Sequence, residues 1–144
     1  MKTSTLRLIA MTSLATVMAL NITGCASQSP SGSPAQAMSI LEPANNATVG
    51  TTFKVRFGVK GMAVAPAGDI VKDSGHNHLL INLDSIAAGE SIPFTEKHMH
   101  FGKGQTEADI TLTPGVYKLT AQFANGAHQS YGKAMAQSIT VTVK

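Results

Sequence analysis

GHNHLLINLD at residues 75–84 and HMHFGKGQ at residues 98–105 together hold four of the five histidines in the chain. They form two His-x-His pairs, His76 with His78 and His98 with His100. Successive side chains of a β-strand point to opposite faces, so the two members of each pair share one face of a predicted strand. If the two strands are antiparallel neighbours, we expect the four imidazoles to converge within about 5 to 7 Å of one another. The spacing predicts either a metal-binding site or a hydrogen-bonded polar cluster, and it does not separate the two.

The rest of the chain after residue 37 also alternates between apolar and polar residues, in short runs. The clearest is FKVRFGVK at residues 53–60, and further runs precede and follow the histidine pairs. The runs are separated by turn signals such as TPG at residues 113–115 and NG at residues 125–126. This pattern predicts about seven strands and no helix in residues 38–144. The expected fold is an all-β, immunoglobulin-like antiparallel β-sandwich.

The N-terminus has the order of a secretory signal peptide. A short basic head precedes an apolar run at residues 8–20, which is too short for a membrane-spanning helix of roughly 20 apolar residues. The run ends in ITGC, which resembles the lipobox of bacterial lipoproteins, with Cys25 as the single cysteine of the chain. The resemblance implies removal of residues 1–24 and attachment of acyl chains such as palmitate to Cys25. The alternative is an ordinary signal peptide followed by an unmodified thiol.

A segment rich in Ser, Pro, Gly and Ala, residues 25–37, is predicted to be a flexible tether between the lipid anchor and the domain. Ala26 follows the cysteine where inner-membrane lipoproteins of enteric bacteria typically carry Asp. By that resemblance we expect a cell-envelope protein on the outer membrane, facing the periplasm, if the host is Gram-negative.

Charge argues against nucleic acid as a partner. Eleven Lys and Arg stand against eight Asp and Glu in the whole chain, but Lys2 and Arg7 belong to the predicted signal peptide. The remaining nine basic and eight acidic residues give a formal charge of +1, without a basic stripe. The expected partners are therefore the membrane, through Cys25, and a metal ion or another envelope protein.

Zn and Cu are the metals that neutral imidazoles suit best. The candidate ligands are the four paired histidines together with one near a turn: His76, His78, His98, His100 and His128. Lys103, beside the second pair, is a candidate contact for another ligand. Three methionines also suggest Cu(I), but methionine is a common core residue, and this second hypothesis is not favoured. They are Met62, Met99 and Met135.

Catalysis is not expected, because no nucleophile, carboxylate pair or phosphate-binding loop has the spacing that an enzyme requires. Gly102-Lys103-Gly104 lacks the remaining positions of a P-loop and is interpreted as a turn. The alternative to a metal-binding protein is a non-catalytic interaction or scaffold module of the envelope, whose histidines are structural.

Four stretches resemble an uncharacterised family of exported bacterial domains, known as a domain of unknown function. They are FGVKGMAVAPAG, SGHNHLLIN, HFGKGQTEADITLTPGVYKL and SITVTV, within residues 53–143. Members of that family typically carry GHHHLLID and HFGKGQTE. This chain departs from the pattern at Asn77, which replaces the middle histidine, and at Asn82, which replaces the acid. The resemblance implies the fold and the place of the site, and it implies no reaction.

Overall fold

The computed structural model describes residues 35–144. The predicted signal peptide, Cys25 and all but the last residues of the tether lie outside this range. The described part contains nine strands and a single 3₁₀ turn, and no helix in it is long and apolar enough to cross a membrane. The strands are β1 (Ala37–Glu42), β2 (Ala47–Val49), β3 (Thr52–Lys60), β4 (Ala63–Val64), β5 (Ser74–Ile81), β6 (His98–Phe101), β7 (Glu107–Thr111), β8 (Gly115–Ala124) and β9 (Ala136–Val143), and the 3₁₀ turn is Lys133–Met135.

The smaller sheet has three antiparallel strands in the order β1-β3-β7. Strand β3 follows its sequence alternation, since Phe53, Val55 and Phe57 are buried. The polar side chains between them face solvent, where Lys54 and Arg56 pair with acidic residues of the neighbouring strands. The period of two therefore separates a core face from a charged face, as predicted.

The larger sheet has six strands in the order β2-β9-β8-β5-β4, with β6 also paired to β5. It is antiparallel except for the pairs β2–β9 and β4–β5. The predicted all-β sandwich is confirmed, with nine strands instead of about seven. The additional strands β2 and β4 have only three and two residues. Such short segments carry too few residues to show alternation.

The main core lies between the two sheets. Val55 of the smaller sheet and Leu79, Leu119 and Phe123 of the larger one are all completely buried. Burying a side chain of this size stabilises a fold by roughly 1.5–3 kcal/mol before entropic costs. Residues of β5 and β8 thus provide the core with one face and leave their other face for a second layer.

Residues 82–97 form this second layer and are called the covering segment here. It packs on the outer face of the larger sheet, where Ile92 forms a small buried cluster with Leu80 and Ala124. Backbone hydrogen bonds tie it to the chain after β8, including Ile92 N to His128 O at 2.9 Å and Ser130 N to Glu90 O at 2.8 Å. The segment contains no named strand, and it turns the outer face of the sheet into a buried environment.

Candidate metal centre

Strand β5 places His76 and His78 on the outer face of the larger sheet, beneath the covering segment. The exposed fraction of these side chains is 0% and 1% respectively. The intervening Asn77 and the following Leu79 point to the opposite, core-facing side, because side chains alternate along the strand. The sequence prediction that both histidines share one face is confirmed.

Strand β6 adds His100. It is the direct antiparallel partner of His78, while Phe101 and Met99 contribute to the core on the other face. The ring centroid of His100 lies 5.1 Å from that of His78 and 5.0 Å from that of His76. The His100 side chain is exposed, so it lies on the solvent side of the group.

His128 enters from the turn that follows β8. Its backbone has a positive φ of 64°, a conformation in which histidine is one of the better tolerated side chains. Asn125 holds the turn, since its Oδ1 accepts hydrogen bonds from the backbone N–H groups of Ala127 and Gln129, both at 3.0 Å. The resulting orientation brings the ring of His128 to 4.7 Å from that of His100 and 4.9 Å from that of His76.

One ring nitrogen from each of the four histidines lies within 4.8 Å of the others. The closest pairs are His78 Nε2 with His76 Nε2 at 2.9 Å and His76 Nε2 with His128 Nδ1 at 3.1 Å. Four nitrogens around a tetrahedral zinc ion, at Zn–N distances of about 2.0–2.1 Å, are about 3.3 Å apart. The two closest pairs already approach the spacing of a metal centre, whereas separations of up to 4.8 Å within the group would have to shorten on binding.

The electrostatics of the group favour neutral imidazoles. Burial lowers the pKa of His76 to about 4 and that of His78 to about 3, with smaller contributions from the neighbouring histidines. Burial and the adjacent His128 also lower the pKa of His100. Neutral rings retain the lone pair that a metal ion requires.

The two buried histidines also have polar atoms without a partner. His76 Nδ1 and His78 Nδ1 are buried and make no hydrogen bond. A neutral imidazole carries one N–H and one lone pair, so an unpartnered nitrogen in this place costs about 1–3 kcal/mol. This cost applies whether or not the Nε2 atoms of the two rings hold an ion.

Phe94 of the covering segment borders the exposed side of the group. Its ring meets His128 at 4.9 Å and His100 at 5.4 Å between centroids, edge-on in both cases. Phe94 itself is 66% exposed. Solvent thus reaches the site past His100 and Phe94, whereas the side formed by β5 is closed.

Two predicted site residues lie outside the group. His98 stands opposite Leu80 in the strand register, and its Nδ1 lies 2.6 Å from Thr95 Oγ1. Lys103 is exposed in the turn after β6, where its backbone N–H bonds to Gln105 Oε1 at 2.8 Å. The structure thus brings together His76, His78, His100 and His128, and it does not place His98 or Lys103 with them.

Gly102 is a site residue that the sequence analysis missed. A Cβ atom at this position would lie 2.2 Å from Cε1 and 2.3 Å from Nε2 of His100. The absence of a side chain therefore allows the imidazole of His100 to lie against the backbone of the following turn. The Gly-Lys-Gly sequence is the available signal, and by itself it indicates only a turn.

The two departures from the family pattern lie away from the four rings. Asn77 faces the core, where its Nδ2 donates to the backbone oxygen of Gln105 at 2.8 Å. Asn82 ends β5 with a φ of 57°, and its Oδ1 accepts a hydrogen bond from the backbone N–H of Lys118 at 2.9 Å. Neither asparagine takes a ligand position in the group.

The three methionines considered as Cu(I) ligands belong to the main core. Met135 is 1% exposed, and Met62 and Met99 pack against the same cluster. Their expected role as core residues is confirmed, and the donor set of the site consists of imidazoles.

Comparison with known proteins adds family membership. No curated protein matches the chain. The solved structures include a partial likeness to the endo-beta-1,4-mannanase from Thermotoga petrophila, with 17% sequence identity and a TM-score of 0.42. That match covers 76% of this chain but only 20% of the mannanase chain, so the protein spans about a fifth of that enzyme's length.

The model of the family described as a domain of unknown function, DUF4399, matches residues 55–144, which include all four histidines of the group. The chain belongs to the DUF4399 family.

Proposed function

We propose that the protein binds one divalent transition metal ion, Zn or Cu, through His76, His78, His100 and His128. The observation that carries this proposal is the convergence of four ring nitrogens within 4.8 Å, two of them from completely buried side chains. The geometry provides a group of histidines that could hold an ion, and the proposal adds that an ion binds there.

Counting donors and acceptors favours a metal over a purely hydrogen-bonded cluster. His76 Nε2 is the common neighbour of His78 Nε2 and His128 Nδ1. If His76 Nε2 carries the N–H, it can donate a good hydrogen bond to only one of these two nitrogens. If it is unprotonated, its single lone pair can accept from only one of them. A cation accepts one lone pair from every ring at once, so it resolves this conflict in the centre of the group.

The chemistry of the donors selects the metal class. Four imidazoles suit Zn and Cu(II), whereas Ca and Mg require oxygen ligands, and Cu(I) prefers thiolate and thioether sulfur. All members of the group are histidines. The position of His100 and Phe94 at the exposed side gives an ion a route into the site.

We assign binding to this site, without catalysis. This part of the proposal is supported by the hydrogen bonds of His76, His78 and His128, which within residues 35–144 join these rings to one another and not to a hydroxyl group. The rival proposal is an envelope interaction module whose histidines are structural. It is supported by the burial of His76 and His78, which any structural histidine pair would share.

Metal content and thermal stability distinguish these proposals. The full chain is purified, stripped with a chelator, dialysed against Zn or Cu(II), and its bound metal counted. We expect one ion per chain and a higher Tm with metal than with chelator, because a ligand that binds only the folded state stabilises it. His98→Ala is the matched control, since His98 lies in the same strand as His100 but outside the group of four histidines. A Tm that is the same with metal and with chelator would support the structural module.

The cellular setting is a separate proposal, supported by the sequence of residues 1–37. We propose a lipid anchor on Cys25 that holds the domain in the cell envelope, on the periplasmic side of the outer membrane in a Gram-negative host. Several acyl chains, at about 0.8 kcal/mol per buried methylene, suffice for stable anchoring. Cys25→Ser is expected to move the protein from the membrane fraction to the soluble fraction, and its persistence in the membrane fraction would exclude the anchor.

A further inference from the structure

A second candidate site lies beside the 3₁₀ turn and the start of the covering segment. It is a half-open cavity of about 470 Å³, a size within the usual range of small-molecule sites. Six of the seven lining residues have polar or charged side chains, and the lining consists of Asp84, Ser85, Lys118, Lys133, Ala136, Gln137 and Ser138. None of these residues belongs to the histidine group.

A completely buried glutamine fixes one wall of the cavity. Gln122 Nε2 donates to the backbone oxygens of Gly132 and Met135, both at 3.1 Å, and so holds the turn that carries Lys133. Gln122 Oε1 accepts the backbone N–H of Ile86 at 3.1 Å, next to Ser85. One buried amide thus sets the separation of the two segments that face each other across the cavity.

A buried threonine fixes the floor. Thr120 Oγ1 donates to the backbone oxygen of Leu83 at 2.7 Å, immediately before Asp84. It also lies 2.8 Å from Ser138 Oγ, which then acts as the donor of that pair. Thr120 and Gln122 are both 0% exposed, so the cavity is built on interior contacts and does not result from a chance arrangement of surface side chains.

The lining carries two positive charges and one negative charge. Lys118 Nζ is hydrogen-bonded to the carboxylate of Asp84. The same hydrogen bond, the charge of Lys118 and the charge of Lys133 all lower the pKa of Asp84. Lys133 forms no ion pair with any residue of the described range 35–144. The ammonium groups of Lys118 and Lys133 therefore both stabilise a negative charge at the position of the Asp84 carboxylate.

We propose that this cavity binds a small organic anion through a carboxylate or phosphate group held between Lys118 and Lys133. Gln137 Oε1 already accepts the backbone N–H of Ile40 at 2.7 Å, so its Nε2 is the end that can donate to a ligand. Ser85, also in the lining, offers a hydroxyl. Asp84, whose side chain is already largely exposed, competes for Lys118 as an internal carboxylate, and an incoming anion takes its place beside that ammonium group.

The test uses inorganic phosphate and acetate as separate probes, titrated into the full chain at constant ionic strength with sodium chloride. Binding is followed by chemical-shift changes in NMR spectra. We expect saturable shifts with at least one probe, and the probe that binds identifies the preferred group. Lys133→Ala should weaken binding about 10-fold, the usual effect of losing one charge-assisted hydrogen bond. Asp84→Asn should strengthen it several-fold, because it removes the internal competitor.

Lys97→Ala is the matched control, since Lys97 is an exposed lysine outside the cavity. It should leave the affinity unchanged. The proposal is overturned if neither probe gives saturable shifts, if Asp84→Asn weakens binding, or if Lys97→Ala and Lys133→Ala have equal effects. Both cavity substitutions affect exposed side chains, and unchanged spectra of the core would confirm that the variants fold.

Discussion

His78 and His100 face each other directly across the antiparallel pair of β5 and β6, with ring centroids 5.1 Å apart. The same register places His98 opposite Leu80, beyond the reach of the group. The pairing of two strands therefore decides which histidine of the HMH sequence takes part in the site.

The first prediction separates these two histidines. His100→Ala should reduce the affinity for Zn at least about 100-fold, because it removes one of four ligands, and even the loss of a supporting contact often costs 10- to 100-fold. His98→Ala should leave the affinity within about twofold of the wild type. Competition with a chromophoric chelator measures both. Equal losses in the two variants would contradict the register described for β5 and β6.

The second prediction concerns Gly102. Gly102→Ala should weaken Zn binding about 10-fold, because the added Cβ displaces the imidazole of His100 while every ligand remains in the chain. The exposed ring can move toward solvent, so the free energy of unfolding of the metal-free protein should change little. Metal titration and urea unfolding measure the two quantities.

Gly50→Ala is the matched control for that variant. The nearest atom to a Cβ at position 50 is Thr52 O at 3.8 Å, an ordinary contact, and Gly50 lies in a different part of the chain. If both alanine variants bind Zn as the wild type does, Gly102 does not position His100.

The third prediction concerns the pH dependence of the metal-free protein. The pKa values of His76 and His78 in the folded state, about 4 and about 3, lie below the value of 6.5 expected in the unfolded chain. Between about pH 6.5 and these values the unfolded chain binds more protons, so the free energy of unfolding falls as the pH falls. Each histidine contributes up to about 1.4 kcal/mol per pH unit.

Urea unfolding at pH 7, 6 and 5 measures this slope before most carboxylates are protonated. His78→Gln should flatten the slope, whereas His98→Ala should preserve it. A free energy of unfolding that stays constant or rises between pH 6.5 and 5 would show that the buried rings accept protons in the folded state.

The fourth prediction concerns the turn that carries His128. Asn125→Ala removes the acceptor for two backbone N–H groups and should release the positive-φ conformation of His128. We expect Zn affinity to fall about 10-fold, with a loss of about 1 kcal/mol in the free energy of unfolding. Calorimetric titration of Zn provides the measurement.

Asn45→Ala is the control for this variant, since Asn45 Oδ1 accepts the backbone N–H of Thr140 at 2.9 Å in a different turn. It should cost a similar amount of stability and leave Zn binding unchanged. If both variants lost Zn affinity to the same extent, the loss in Asn125→Ala would reflect lower stability of the whole domain and not the position of His128.

Period-two alternation was sufficient to predict the main strands and the shared face of His76 and His78. It depends only on side-chain direction along one strand, which is a local property. The short strands β2 and β4 were missed because their pairing with β9 and β5 is decided by tertiary contacts and not by their own three and two residues. The same limit explains why His98 and His100 were predicted as equivalent ligands.

The sequence identifies His128 as a candidate ligand, but it does not determine where the side chain lies. That position depends on a turn stabilised by Asn125 and on the backbone bond from Ile92 of the covering segment. The Asn125 contact is local, but the bond between Ile92 and His128 joins parts of the chain that are distant in sequence. The position of Phe94 could not be predicted either, because the residues around it in the sequence do not indicate its contacts with His100 and His128.

The most direct measurement is the anomalous scattering of a crystal of the protein grown with Zn and recorded on both sides of the zinc absorption edge. We expect one strong peak between His76, His78, His100 and His128, about 2.0–2.1 Å from a ring nitrogen of each histidine that binds the ion. A crystal with well-ordered rings and no peak between them, in the presence of saturating Zn, would contradict the account.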